Sequence, residues 1–267
     1  MQKNLYYQAM FRRRNLLKEW ILASFMEISS VPRLLLEVFV RKNFGERYFS
    51  IFIATCVTIL LAAYPIFMYR LYFVFTYYEI FHGIERWTPF PLGDFLKDYL
   101  TWYMFIGGFV YMCIKRNDEI KRQPSVFDFA RFSLSTGEIH PAFLDFKIKG
   151  AKQDIRTVET LIEPAFFLMV GLILWLLLGQ SVGALIATCS VIYSGSYMAA
   201  YYVGDHFVMD KIDQMICNEE MVSAFVEGKA ASETRGMHFY GRRPANLDHR
   251  REVVNSFTKF EEVFDVD

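Results

Sequence analysis

The chain carries no excess of charge of either sign, because 29 Lys and Arg balance 29 Asp and Glu. That balance excludes the broad basic surface that direct nucleic-acid binding requires, and the basic clusters present are interleaved with acids. Cysteine is also scarce. Four residues with no CxxC pair and no metal-ligand spacing argue against a disulfide framework and against zinc. There is no Walker A loop, no GxGxxG after a strand, no GxSxG elbow and no Ser-x-x-Lys set, so the common nucleotide-binding and hydrolytic classes have no footing. The most telling absence is local: four stretches, 49–69, 99–114, 164–179 and 181–203, contain no Asp, Glu, Lys, Arg or His.

Those stretches are filled by the hydrophobic residues that make up 54% of the chain, while the charges crowd the flanks. A helix rising 1.5 Å per residue needs about 20 apolar residues to cross about 30 Å of hydrocarbon, and the first and fourth stretches meet that requirement directly. The second has only 16 residues between Asp98 and Lys115. It must snorkel Lys97 and Lys115, thin the bilayer, or begin near Phe95. The third and fourth are parted by Gly179-Gln180-Ser181, sufficient for a hairpin turn; a single helix over 161–203 would measure about 65 Å, twice the hydrocarbon thickness. The predicted fold is therefore all-α and integral to the membrane. Four transmembrane helices form two hairpins, with amphipathic N-terminal helices and a cytoplasmic extension of the fourth span.

Topology follows from the Lys and Arg counts: nine before the first stretch, three between the first and second, nine between the second and third, none in the next turn and eight afterwards. The positive-inside rule places both termini and the middle loop in the cytoplasm, and the membrane is read as a bacterial inner membrane. No cleavable signal peptide is expected, since Arg12-Arg13-Arg14 leads into mixed charge rather than a compact apolar core. The chain then divides into a basic N-terminal segment (1–48), a first hairpin (49–114), a cytoplasmic loop (115–161), a second hairpin (162–203) and a cytoplasmic helix with acidic tail (204–267).

The flanking pieces have textures of their own. Residues 15–44 carry Leu16, Leu17, Trp20, Ile21, Phe25, Met26 and Ile28 at helical spacing, then Pro32 and a second apolar run. Such a basic amphipathic pair suits a membrane interface, and equally a surface of the protein or of a neighbouring subunit. The outer connection 70–95 is dominated by Tyr, Phe and Trp, an aromatic belt at headgroup level. In the middle loop, Ser135-Thr136-Gly137 reads as the turn of a small hairpin or docking loop. At the C-terminus, Phe257, Phe260 and Phe264 among acids read as a tail that docks on another surface, because three phenylalanines are costly to leave in water.

Candidate chemistry is thin. His206, Asp210 and Asp213 share one face of the helix beyond the fourth span and form a weak metal-ligand set with no second ligand helix. Glu163 stands before Pro164 at the mouth of the third span, where a carboxylate and a proline both suit a first helical turn. Small residues are plentiful: Gly107 and Gly108 in the second span, and Gly183, Ala187, Ser190, Ser194 and Gly195 in the fourth, where they let helices approach closely. No cofactor is implied. The layout has the general character of an accessory subunit of a large membrane machine, such as one for secretion or transfer. The expected role is a non-catalytic scaffold whose partners are other membrane subunits, further copies of itself and the bilayer. An oligomeric channel or small-solute transporter lined by Thr55, Thr58, Ser190, Ser194 and Ser196 is the alternative, and a metal-dependent membrane enzyme the third reading.

Overall fold

The computed structural model describes residues 2–11, 16–79, 92–148 and 151–260. It is mostly helical, 76%, with eight helices among the described residues. In chain order these are α1 Leu5–Met10, α2 Leu16–Val40, α3 Ile51–Glu79, α4 Leu92–Arg122, α5 Pro141–Leu144, α6 Ile155–Leu177, α7 Ser181–Glu227 and α8 Leu247–Ser256. Two small antiparallel pairs accompany them: β1 Gln2–Asn4 with β4 Thr258–Phe260, and β2 Lys147–Ile148 with β3 Ala151–Lys152.

Among the described residues, three helices are long and apolar enough to cross a membrane: α3 through Ile51–Met68, α6 and α7. The stretch 99–114 is helical within α4 but is not one of the three. Asp94, Lys97 and Asp98 before it and the charged run from Lys115 after it dilute its apolar length. Residues 80–91, the centre of the expected aromatic belt, lie outside the described residues, while α3 continues past Arg70 to Glu79.

The chain forms two compact units, one of residues 24–199 and one joining 1–23 to 200–267. In the larger unit, α3 and α4 lie side by side. Trp102 Nε1 donates to the Leu61 carbonyl at 2.8 Å, Tyr103 Oη to that of Ala62 at 3.2 Å, and Tyr64 stacks on Trp102. The second half of α2 buries Leu34, Leu35, Leu36 and Val38, and its Phe39 ring meets Phe105. Helices α6 and α7 run antiparallel with their backbones in near contact: a Cβ at Gly171 would lie 2.6 Å from Ala187 N, and one at Gly183 would lie 2.5 Å from Gly171 O. Only the absence of a side chain permits that approach. The turn between them falls at Gly179, whose φ of +65° breaks the helix.

Of the two forms expected for the middle loop, a small hairpin or a docking loop, residues 133–138 take the second. The Ser135 carbonyl accepts from Gly45 N at 2.9 Å, the Ser133 carbonyl accepts from Arg47 N at 2.9 Å, and Glu138 bridges to Lys42. Residues 133–138 thus pair with the segment between α2 and α3, while Ser135 N donates to the Phe132 carbonyl at 3.3 Å within the turn. Turn chemistry shows where a chain bends but not which strand it meets.

In the smaller unit, α1, α8 and the distal part of α7 enclose Tyr7, Cys217, Met221, Phe225, Met237, Phe239 and Val254. Phe257 belongs to this assembly, with its ring 5.7 Å from Tyr6 and 5.8 Å from Phe225. The docking surface expected for Phe257 is therefore its own chain, an apolar site that sequence separation concealed. Phe260 sits in β4 opposite Gln2, and Phe264 lies outside the described residues.

Candidate functional site: a buried ion network

On α2, Arg33, Glu37 and Arg41 are four residues apart and so share one face. That face turns inward. Glu37 and Arg41 have no exposed surface, and Glu163 on α6, within a candidate membrane span, has none either. Charges so placed persist only when paired and hydrogen-bonded.

Pairing is nearly complete. The Arg41 guanidinium donates to Glu163 Oε2, to Glu159 Oε1 at 3.1 Å, to Thr136 Oγ1 at 3.3 Å and to Tyr197 Oη at 2.6 Å. Tyr197 Oη passes a hydrogen bond on to Glu37 Oε1 at 2.7 Å. Glu37 Oε2 accepts from Tyr48 Oη at 2.5 Å, and Tyr48 in turn accepts from Arg33 Nε at 2.9 Å. Arg33 also reaches Ser196 Oγ at 3.1 Å, and Tyr193 Oη donates to Glu163 Oε2 at 2.6 Å. Both guanidiniums lie over the Tyr197 ring, at 4.9 Å for Arg33 and 4.8 Å for Arg41.

The electrostatics follow from this geometry. Burial opposes the Arg41 charge, but Tyr193, Tyr197, Glu37 and Glu163 outweigh it and hold the guanidinium pKa above its ordinary value. Burial and the Glu37 carboxylate push the Tyr48 hydroxyl up, so it stays protonated and keeps donating. Two guanidiniums face three carboxylates, and Glu163 Oε1 and Arg41 Nε are buried without a hydrogen-bond partner. The arrangement is a clamp. Tyrosine hydroxyls relay between arginine and glutamate, and the cluster ties α2 to α6, α7, the middle loop and Tyr48.

Glu163 and Pro164 open the α-helical part of α6, as expected, but a π-helical turn over Val158–Ile162 precedes them and the helix runs on from Ile155, so the Glu163 carboxylate answers Arg41 rather than a free helix end. Pro164 is accommodated by neighbours. Its missing N–H would leave the Thr160 carbonyl unpaired, and Ser194 Oγ donates there at 2.6 Å. One turn on, Ser190 Oγ donates to the Pro164 carbonyl at 2.5 Å. These two serines, together with Gly183 and Ala187, make the α6–α7 seam, and Gly171 is the partner that sequence reasoning missed. Gly108 meets the Phe39 ring and Gly195 the Phe25 ring, whereas the space beside Gly107 is open.

The weak metal candidates take different partners. The His206 ring packs against Tyr202, and Asp210 accepts from Tyr7 Oη at 3.5 Å. Asp213 lines a hollow with Phe11, Ile216 and Arg235. Burial and Asp210 push the Tyr7 hydroxyl up to about 12. Among the described residues, no three His, Cys, Asp or Glu side chains gather as a metal ion needs.

The network itself left signals in the sequence that went unread. Arg33-x3-Glu37-x3-Arg41 is a charged stripe flanked by Leu34, Leu35 and Leu36, and Tyr193-x3-Tyr197 is a hydroxyl pair inside an otherwise apolar run. The fold and the cluster define a helical protein with three helices fit to cross a membrane and a buried ionic clamp. Compared with protein-family models, curated proteins and solved structures, the chain matches none.

Proposed function

We propose that this protein is a non-catalytic membrane subunit that scaffolds or assembles a larger complex. In this reading four spans form two hairpins, α4 supplying the span not among the three apolar helices. Both termini and the middle loop face the cytoplasm of a bacterial inner membrane, and other subunits or further copies dock laterally. The observation that carries it is the apolar face of α2. Leu17, Trp20 and Ile28 are 68%, 68% and 74% exposed on a helix that is not a candidate span. An exposed apolar surface of this kind is covered either by the membrane interface or by another subunit, and the scaffold reading takes the subunit.

The channel alternative has weaker footing, because its lining hydroxyls are engaged elsewhere. Thr55 and Thr58 donate to the carbonyls of Ile51 and Ala54, Ser190 and Ser194 to carbonyls of α6, and Ser196 accepts from Arg33. A metal-dependent enzyme would rest on His206, Asp210 and Asp213.

The test is purification of the tagged full chain in nanodiscs, with mass spectrometry of bound proteins and metal analysis of the same sample. The scaffold reading expects stoichiometric membrane subunits that are lost in Trp20→Glu while the protein stays folded. A metal-free homo-oligomer that conducts ions, or a bound metal lost in His206→Ala, would sink it.

A further inference from the structure

We infer that residues 125–135, between α4 and α5, form a finger that dips into the headgroup and acyl boundary of the membrane face at which α4 ends. It rests on the membrane reading of the helices, not on the scaffold role.

The finger presents apolar rings to the outside. Phe127 is 89% exposed and Phe129 98%, with Phe132 and Leu134 exposed beside them. Isolated apolar residues on a surface are ordinary, but three exposed phenylalanines within six residues concentrate apolar area on one short segment. The segment is also held in shape. Ser125 Oγ accepts from Phe127 N at 3.1 Å, and Phe129 N donates to the Val126 carbonyl at 3.1 Å. Phe129 takes a φ of +54°, a left-handed conformation disfavoured for a bulky side chain. From behind, Arg131 donates to Gln123 and to the Phe44 carbonyl and pairs with Glu46. The root is tied down at Gly45, where a Cβ would lie 2.5 Å from Ser135 N. An ordered scaffold thus displays the rings.

Depth selects the occupant. Thr101 on α4 donates to Gln180 in the α6–α7 turn at 2.5 Å, so those two points share a level. From the turn back along α6 to Glu159 is about 31 Å, close to one hydrocarbon thickness, while along α4 the apolar stretch ends about 20 Å from Thr101 at Ile114 and Arg122 lies about 12 Å beyond it, outside the hydrocarbon. At that far level, Gln123 donates to Asn43 at 2.9 Å, and Arg41 joins Glu159 to Thr136. The finger therefore springs from the opposite membrane boundary. Arg47, to whose N–H Ser133 is bonded, precedes the candidate span of α3 by only a few residues.

Charge agrees with depth. Lys42, Arg47, Lys121 and Arg122 are exposed around the root with Arg131 half-buried, against Glu46, Asp128 and Glu138. Basic groups around apolar rings match an anionic leaflet, in which the rings enter the acyl boundary and the cations stay among the headgroups. Asp128 at the tip opposes insertion and limits its depth to the boundary.

The experiment is spin-label accessibility in the full chain with Cys56, the exposed cysteine, changed to Ala. The protein is reconstituted in vesicles of phosphatidylcholine with phosphatidylglycerol. Labels go on Phe129→Cys, on Phe127→Cys, on Phe52→Cys within the α3 span and on Asp145→Cys beyond the finger. The finger predicts that the Phe129 and Phe127 sites collide with oxygen several-fold more, relative to a water-soluble nickel chelate, than the Asp145 site does. Phe52 serves as the lipid-facing reference. Nickel-accessible labels at Phe129 and Phe127, with Phe52 still in lipid, would overturn the finger and leave the membrane reading standing. Labels shielded from both reagents would overturn it in favour of a protein partner. A water-exposed Phe52 would remove the membrane reading and the finger together.

Discussion

Arg41 and Glu163 show how two fully buried charges can be kept in one structure. Each is worth little alone, because desolvation offsets most of the attraction between them, yet removing one leaves the other stranded. Arg41→Met should therefore cost about 3–5 kcal/mol of stability, while Arg41→Met combined with Glu163→Met should recover much of the loss. Thermal unfolding of the detergent-solubilised protein measures both, and a double variant no more stable than the single one would refute the pairing. At this scale the sequence was half legible. Glu163 stood out as a carboxylate beside a span, but the Pro164 after it suggested a helix start. An α-helical segment does start there, but a π-helical turn precedes it, and the need created by Pro164 is met by Ser194, 34 residues from the Thr160 carbonyl it serves.

Helices α6 and α7 carry the clearest element-level signal. The density of small residues in α7 was visible in the sequence as a packing face, and the structure gives it a neighbour in Gly171. That neighbour was harder to find, because one glycine among leucines has no periodicity to mark it. Position, not residue type, decides which glycines matter. Gly183→Val places a side chain against the Gly171 carbonyl and should cost about 3 kcal/mol or prevent the pair from forming. Gly107→Ala meets nothing within 4 Å and should be neutral or slightly stabilising. Comparing the melting temperatures of these two variants tests the distinction, and equal losses would refute it.

For the whole molecule, segregation of charge from apolar length was enough to read a mostly helical chain, three of whose helices are long and apolar enough to cross a membrane. The association of the N-terminal residues with the region after Ala200 was not legible, since β1 meets β4 only through contacts far apart in sequence. The topology derived from Lys and Arg makes a direct prediction. Cysteines placed at Asp145 and Lys229 should react with a membrane-impermeant maleimide only after the cytoplasmic side is opened, and one at Arg86 should react from outside. Labelling of Lys229→Cys in intact cells would reverse the orientation.

The clamp between Arg41 and Glu163 also imposes a timetable on synthesis. The two residues are 122 positions apart, so the ribosome delivers the arginine roughly 6 to 24 s before its glutamate. During that interval Arg41 has Glu37 on its own helix but neither carboxylate of α6, so the buried clamp closes only once the third apolar stretch has been made.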